Sequence, residues 1–221
     1  TGHLVLTERF LGTKNDSFDI VIQLGAILAV LVHYRVLLAG HARGLLAKKP
    51  EPVSLLLALV VGFVPTAISG LLLCKIIKQH LFNPSSIAAA LVVGGIVMIV
   101  VERMRTRRNV VGLEGLEHVT LRRAIAIGLG QCVSMIPGSS RSMCTIVTGQ
   151  LTGLSTRTAA EFSFLLGLPT LGAATLYEGF KARKELFAHG SVLPLVVGLV
   201  VSFGVAWAVI AAFVHYLQRR G

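Results

Sequence analysis

The sequence predicts an all-α polytopic membrane protein, and this prediction rests on composition, on the length of the apolar segments and on the placement of charge. Of the 221 residues, 54% are hydrophobic and 14% are charged, and the mean hydropathy is +0.78. Soluble domains carry about 25% charged and about 45–50% apolar residues. A soluble chain of this length could not bury the excess apolar surface in one core, so that surface must face lipid.

Five apolar segments are long enough to cross a bilayer as helices, since a span needs roughly 20 residues. They lie at about 18–38, 54–74, 86–101, 158–178 and 191–214. Proline interrupts the second segment at Pro65, and the fourth segment carries Pro169. Glycines that predict close packing between helices are Gly62, Gly94, Gly95, Gly128 and Gly130.

Residues 121–153 predict a re-entrant helical hairpin rather than a span. The stretch is moderately apolar and is broken in its middle by the sequence Pro-Gly-Ser-Ser-Arg-Ser at 137–142. Each arm has about 15 residues, too few to cross the hydrocarbon at 1.5 Å per residue. We therefore expect two short helices that enter and leave on the same side. Residues 1–12 resemble the second arm of such a hairpin alone.

The chain also resembles itself at a fixed spacing. Asp19-Ile20 lies 142 residues before Glu161-Phe162, and Leu24-Gly25 lies the same distance before Leu166-Gly167. Because three spans separate the two hairpins, the second half enters the membrane from the opposite side. This is typical of an inverted-topology repeat, whose shared site lies near the midplane. Chance similarity between apolar helices is the alternative, and the matching order of hairpin and helix favours the repeat.

The repeat predicts one integral membrane domain, 1–221, made of two related parts. Repeat 1 covers about 1–110 and is expected to lack its first hairpin arm, so that about 20 residues would precede Thr1. Repeat 2 covers about 121–221 and is expected to lack its last helix.

Basic residues lie in the loops and predict the orientation. The formal net charge is +11, but Lys and Arg form short runs, such as 48–49 and 103–108, rather than a stripe along one helical face. This is typical of cytoplasmic loops and disfavours a nucleic-acid partner. If segment 18–38 runs from outside to inside, thirteen Lys and Arg residues lie inside and seven outside. The site would then open outward, because the hairpin at 1–12 enters from that side.

Arg141 is the first candidate for chemistry. A guanidinium in an apolar stretch costs about 2.5–3.5 kcal/mol on insertion scales, so it needs a partner or a wet cavity. An ion pair with Glu161 would be a structural explanation. An anion site is the functional one, since the guanidinium fork suits phosphate oxygens and a helix N-terminus follows. The neighbours favour the anion: Gly138, Ser139, Ser140, Ser142 and Thr145.

His3 is the second candidate. The repeat places its hairpin arm opposite Arg141, and an imidazole can act as nucleophile or proton shuttle near neutral pH. Asp19 and Glu161 occupy equivalent repeat positions near helix starts. Capping or ion pairing is the expected role of these two carboxylates, and binding a metal is the alternative.

The run Pro-Gly-Ser-Ser-Arg-Ser-Met-Cys-Thr at 137–145 resembles the PGxSRSxxT motif of bacterial undecaprenyl pyrophosphate phosphatases of the bacitracin-resistance type. Further similar stretches lie at 1–4, 18–30 and 161–166, so the resemblance covers nearly the whole chain. It implies a membrane enzyme of interlocking inverted repeats in the bacterial plasma membrane. Such an enzyme hydrolyses undecaprenyl diphosphate to the monophosphate carrier used in cell-wall synthesis.

The resemblance also implies roles for individual residues. The catalytic candidates are His3, Ser140 and Arg141. The phosphate-binding candidates are Thr1, Gly138, Ser139, Ser140, Arg141, Ser142 and Thr145, with Gln131 and Glu161 as supporting residues. Met143 stands where glycine is frequent in the family.

A divalent cation, Mg²⁺ or Ca²⁺, is the implied cofactor, and the family's pair of glutamates that would hold it lies upstream of Thr1. Gln131 cannot replace a carboxylate pair, which leaves the activity of the chain as it stands open. The expected partners are a polyprenyl diphosphate and the bilayer, without nucleic acid, and a homodimer is left open. The alternative function is a transporter or flippase for a phosphorylated polyprenyl lipid, because inverted repeats with re-entrant hairpins also build transporters.

Overall fold

The fold was obtained as a computed structural model, which describes residues 16–46, 50–181 and 192–220. Within these ranges the regular structure is helical, without a β-strand, as the sequence predicts. A 3₁₀ turn at Leu116–His118 precedes α5. The helices are α1 (Asp16–His33), α2 (Arg35–Leu46), α3 (Pro50–His80), α4 (Pro84–Arg107), α5 (Leu121–Val133), α6 (Arg141–Leu151), α7 (Thr156–Lys181) and α8 (Val192–Arg220).

Four helical stretches are long and apolar enough to cross a membrane, and they coincide with four of the five predicted spans. They are Val53–Leu73, Pro84–Arg107, Thr156–Lys181 and Leu193–Leu217. Large apolar side chains on them are left exposed, Leu71, Ile96 and Val205 among them, and lipid is the solvent that suits such a surface. The chain is therefore a multi-pass membrane protein.

The first predicted span is not one straight helix. α1 and α2 meet at Tyr34 with a bend of 67°, so the pair is either a broken span or a re-entrant loop. The bend falls where the chain becomes polar, since Arg35, His41 and Arg43 all lie beyond it. Charged side chains are costly in hydrocarbon, which gives a physical reason for the helix to change direction there.

The two internal prolines do not interrupt their helices, which contradicts the interruption predicted at Pro65. α3 continues through Pro65 and α7 continues through Pro169. Proline is tolerated inside membrane helices because neighbouring groups satisfy the backbone carbonyl that it leaves free.

The chain divides into two compact units. Their boundaries are defined by contacts rather than by internal similarity, so the predicted repeat boundaries at about 110 and 121 stay predictions. Unit 2 contains α1, α2, the C-terminal part of α7 and α8. Here α1 packs along α8 through glycine: a Cβ at Gly25 would lie 2.9 Å from Leu199 O, and one at Gly198 would lie 2.5 Å from the ring of Phe18. The inverted repeat itself stays a prediction.

Unit 1 covers residues 54–163 and contains most of α3, all of α4 to α6 and the start of α7. In it α5 and α6 pack as the two arms of a helical hairpin, broken at 134–140 close to the predicted position. Gly128 lies against the backbone of Gly62 in α3, and Gly130 lies against Thr148 in α6.

The predicted glycine packing fails at one position. Gly94 faces Met143, with 2.8 Å between a Cβ placed there and the methionine Cε, as the packing prediction requires. Among the described residues, a Cβ placed at its neighbour Gly95 would have nothing within 4 Å, so the predicted packing is not met there. Adjacent residues on a helix face different directions, and only one of this pair can point at a given neighbour.

Candidate functional site

The loop between the two hairpin arms is shaped by Gly138. Its φ of +97° is a backbone conformation that residues with a Cβ rarely adopt. A Cβ there would also overlap the backbone oxygen of Ile87 in α4. The loop closes where the N–H of Ser139 donates to Ile136 O at 3.0 Å. The loop therefore lies tightly against α4, in a position that glycine alone fits.

Ser140 caps the helix that follows. Its Oγ accepts from the N–H of Met143 at 3.4 Å, and α6 begins at the next residue. The hydroxyl of Ser142 lies 3.1 Å from Ser140 Oγ. Ser140 is exposed and Ser142 is half-buried, so both hydroxyls are accessible to a ligand. The first turn of any helix also has N–H groups without intrahelical acceptors, which favour an anion.

Arg141 is the first residue of α6, and its Nη1 donates to Ser163 O in α7 at 2.9 Å. The first turn of α6 has no acidic residue, and no carboxylate within the described residues pairs with the guanidinium. A cation is electrostatically disfavoured at the positive end of a helix dipole. The positive guanidinium and the positive end of the helix dipole thus coincide at this point, and a bound anion would stabilise both.

The ion pair between Arg141 and Glu161, the structural explanation weighed from the sequence, is not formed. Glu161 Oε1 instead lies 3.2 Å from Nε of Arg157, one helical turn away in α7. Side chains four residues apart on a helix are neighbours whatever the tertiary structure, and the Glu161 carboxylate therefore pairs with Arg157 rather than with Arg141.

Two buried hydroxyls lie behind Arg141 and join α6 to α7. Thr145 and Ser163 are 0% exposed, and their Oγ atoms are 2.6 Å apart. Thr145 Oγ1 also donates toward the carbonyl oxygens of Arg141 and Ser142, at 2.9 and 3.1 Å. Ser163 supports the site twice, through its carbonyl to Arg141 and its hydroxyl to Thr145.

Ser163 is a site residue that the sequence analysis missed. It lies 22 positions after Arg141 and on another helix, so no local spacing connects the two. The available signal was a serine inside the apolar run 162–168, within a stretch that resembles the family.

The remaining predicted site residues lie elsewhere. Gln131 is 0% exposed on α5 and its amide donates to Thr66 Oγ1 in α3 at 2.9 Å. Thr1 and His3 lie outside the described residues. The structure thus brings together 138–142 and Thr145 around one helix start.

No group of three His, Cys, Asp or Glu side chains that could hold a metal ion occurs in the described part of the chain. The donors around Arg141 are hydroxyls and backbone carbonyls beside a fixed positive charge. Mg²⁺ and Ca²⁺ are bound through carboxylates, so the described residues at this helix start do not form a cation site by themselves.

The C-terminal end of α6 is closed by arginines from the neighbouring helices. Arg105 of α4 donates to Gln150 O and Leu154 O, at 2.5 and 3.0 Å, and Arg123 of α5 donates to Thr152 O at 3.1 Å. Cations are favourable at this end of a helix. The 11 residues of α6 span roughly 16 Å, about half the thickness of the hydrocarbon core.

Comparison with known proteins identifies the family of the chain. A family model described as "Bacitracin resistance protein BacA" matches residues 1–221. An undecaprenyl-diphosphatase of Sorangium cellulosum is 54% identical over 225 residues, which cover 100% of this chain and 73% of the relative. Undecaprenyl-diphosphatase 1 of Chromobacterium violaceum is 42% identical, over 100% of this chain and 81% of the relative. For the undecaprenyl-diphosphatase of Sphingopyxis alaskensis the values are 43%, 100% and 83%. The chain belongs to the bacitracin resistance protein BacA family.

Proposed function

We propose that the protein hydrolyses undecaprenyl diphosphate to undecaprenyl monophosphate and inorganic phosphate. The observation that carries the proposal is Arg141 at the N-terminus of α6, without a carboxylate partner among the described residues and beside the hydroxyls of Ser140 and Ser142. The relatives named undecaprenyl-diphosphatase supply the substrate. Hydrolysis breaks the bond between the terminal phosphorus and the bridging oxygen. The oxygen of water joins that phosphorus, and the bridging oxygen stays on the lipid monophosphate.

Charge neutralisation is the role proposed for the helix start. In phosphoryl transfer most of the catalysis comes from placing positive charge and N–H donors around the transferred group. The Arg141 guanidinium offers a planar fork to phosphate oxygens, and the N-terminal end of α6 favours an anion at the same place. Gly138, Ser139 and Ser142 complete the proposed phosphate-binding loop.

Thr145 and Ser163 are proposed as positioning residues. They touch Arg141 through its backbone and its guanidinium, respectively, and both are fully buried. A buried polar network that is fully hydrogen-bonded holds its members in one geometry. We infer that this network keeps the guanidinium aimed at the phosphate.

Ser140 and His3 are retained as proposed catalytic residues, with Thr1 as a further phosphate ligand. Within the described residues, Ser140 Oγ meets the Ser142 hydroxyl and the Met143 N–H, and neither can accept its proton as a base. No base contacts Ser140 Oγ among the described residues, so we propose His3 as its base or as the nucleophile in its place.

A divalent cation, Mg²⁺ or Ca²⁺, is proposed as the cofactor. When bound, it would neutralise charge on the diphosphate. Its ligands would be carboxylates beyond the described residues, since those around Arg141 do not fit it. No part of the argument for Arg141 depends on this ion.

The proposed location is the bacterial plasma membrane, with the site facing outward. The end of α6 that Arg105 and Arg123 close lies beside the basic run 103–108, which the positive-inside rule places at the cytoplasmic surface. Arg141 then lies roughly 16 Å from that end of α6, inside the hydrocarbon and near the tip of a re-entrant hairpin. A transporter or flippase is not favoured, because the relatives are named for hydrolysis of the diphosphate.

The test is phosphate release from undecaprenyl diphosphate by the full-length protein in detergent. Wild type should release phosphate, and Arg141→Ala should reduce the rate about 10²–10³-fold, the loss typical of one charge-stabilising donor. Arg157→Ala is the matched control, because that arginine belongs to a partly exposed pair on α7 and should leave the rate unchanged. No release by wild type, or undiminished release by Arg141→Ala, would overturn the proposal.

A further inference from the structure

A cavity of about 470 Å³ opens beside the phosphate-binding loop, among α4, α5 and α6. Its walls are almost entirely apolar and include Ala90, Val93 and Val97 from α4, Val133 from α5, and Met143 and Val147 from α6. Pockets that bury small ligands have volumes of about 300–1,000 Å³ and mostly apolar walls. The cavity is thus large enough for part of an apolar chain.

The part of α4 that lines this cavity is rich in small residues, namely Ser86, Ala89, Ala90 and Gly94. The wall runs from Ser86 to Val97, a distance of roughly 16 Å at 1.5 Å per residue. Gly94 faces inward, and the Met143 side chain lies over it, with 2.8 Å between the methionine Cε and a Cβ placed at Gly94. Met143 therefore narrows the cavity at this point.

One end of the cavity belongs to the phosphate-binding loop. Ser139 is part of the cavity wall and directly precedes Ser140, the cap of α6. The proposed substrate joins a diphosphate covalently to an isoprenoid chain. When the diphosphate lies at Ser140 and Arg141, the chain must leave past the residues next to them, and the apolar cavity begins there.

Ordinary lipid facing an apolar helix surface is the competing explanation. Lipid tails cover a flat apolar face without any preference for substrate. This surface is concave and shares a residue with the loop, which a general lipid-facing surface does not require. Because surrounding lipid is as apolar as the cavity, an isoprenoid chain would gain little from burial itself. The gain would come from shape-dependent packing and from orienting the attached diphosphate.

We propose that this cavity binds the first isoprene units of the polyprenyl diphosphate and so orients its diphosphate toward Arg141. The inference rests on the proposed function and adds to it a binding site for the substrate's chain. Blocking the cavity should lower kcat/KM for substrates with a long isoprenoid chain, while the phosphate-binding loop keeps its affinity for a diphosphate that lacks a chain.

A pair of adjacent valines on α4 tests this directly. Val93 lines the cavity and is 59% exposed, whereas Val92 is 62% exposed and does not line it. Val93→Trp should lower kcat/KM for undecaprenyl and farnesyl diphosphates about tenfold or more, the range for changed apolar contacts in a pocket. Val92→Trp should leave both values unchanged. The inhibition constant of inorganic pyrophosphate, which probes the loop without a chain, should stay the same in both variants.

Photolabelling gives a second measurement that does not depend on turnover. A prenyl diphosphate with a diazirine in its second isoprene unit should label residues 86–97, and excess undecaprenyl diphosphate should compete while the corresponding prenol should not. Equal kcat/KM for Val92→Trp and Val93→Trp in an active protein, or labelling only outside the cavity, would overturn the inference. Absence of turnover in wild type with labelling at 86–97 would instead overturn hydrolysis and keep the chain-binding site.

Discussion

Arginine side chains lie at both ends of α6, but their hydrogen bonding and their relation to the helix dipole differ. At the C-terminal end, Arg105 donates to Gln150 O and Leu154 O, and Arg123 donates to Thr152 O. At the N-terminal end, the five N–H donors of Arg141 meet one acceptor within the described residues, Ser163 O. The first pair complements the helix dipole, whereas Arg141 opposes it.

This difference separates arginines that hold the fold from one that is available to a ligand. Arg105 and Arg123 donate to backbone carbonyl oxygens at and just beyond the end of α6, where a cation is favourable, and these bonds account for their positions. Arg141 lies at an end where the dipole disfavours a cation, so its single hydrogen bond to Ser163 explains its place poorly. A negatively charged ligand removes the conflict, and a diphosphate is the ligand that we propose.

Exchanging arginine for lysine at the two ends of α6 should have clearly different effects on activity. Arg141→Lys keeps the charge but loses the fork that binds two phosphate oxygens, so kcat/KM for phosphate release should fall about 10²-fold. Arg105→Lys should leave kcat/KM near the wild-type value and lower the thermal unfolding temperature in detergent, because one of its two carbonyl bonds is lost. Equal loss of activity in both variants would contradict the assignment of different roles to the two ends.

Two glycines flank α6, and their substitution separates the effect of backbone strain from the effect of loop position. Gly138 and Gly153 both have positive φ, +97° and +92°. A Cβ at Gly138 would overlap the backbone of Ile87, but a Cβ at Gly153 would meet nothing within 4 Å among the residues that the structure describes. Both alanine variants carry backbone strain of about 1–3 kcal/mol. Gly138→Ala should lose more stability and also reduce phosphate release, since the loop must move away from α4.

Gly153→Ala serves as the control for that experiment. It should lower the unfolding temperature by the smaller amount and leave kcat/KM unchanged. Comparable activity losses in the two variants would show that helix strain, rather than the position of the loop, controls the site.

The smallest effect is expected at Thr145, behind the arginine. Thr145→Val keeps the shape but removes the hydroxyl that meets Ser163 Oγ and two carbonyls, which should lower the free energy of unfolding by about 1 kcal/mol. Phosphate release should fall through kcat, because Arg141 is less well held while its donors remain. Thr145→Ser, which retains the hydroxyl, should restore kcat, and failure to do so would contradict a positioning role.

Much of the fold could be predicted because membrane helices are specified by composition. Four spans and the break in the hairpin follow from apolar length and from the Pro-Gly pair at 137–138. The bend at Tyr34 was not predicted, since the segment around it is apolar enough on average to be read as one helix. Pro65 misled the prediction in the other direction, because a proline inside a membrane helix is tolerated when its surroundings satisfy the backbone.

The helix start at Ser140 and Arg141 follows from local sequence, because a cap, a glycine turn and an arginine are adjacent in the chain. The groups that surround the arginine depend instead on tertiary packing. Packing of α6 against α7 brings Ser163 to Arg141 and leaves Glu161 with Arg157. Packing of α4 against the hairpin forms the apolar cavity at Ser139. These arrangements join residues that are distant in the chain, and the side-chain volumes that fix them have no signature in local spacing.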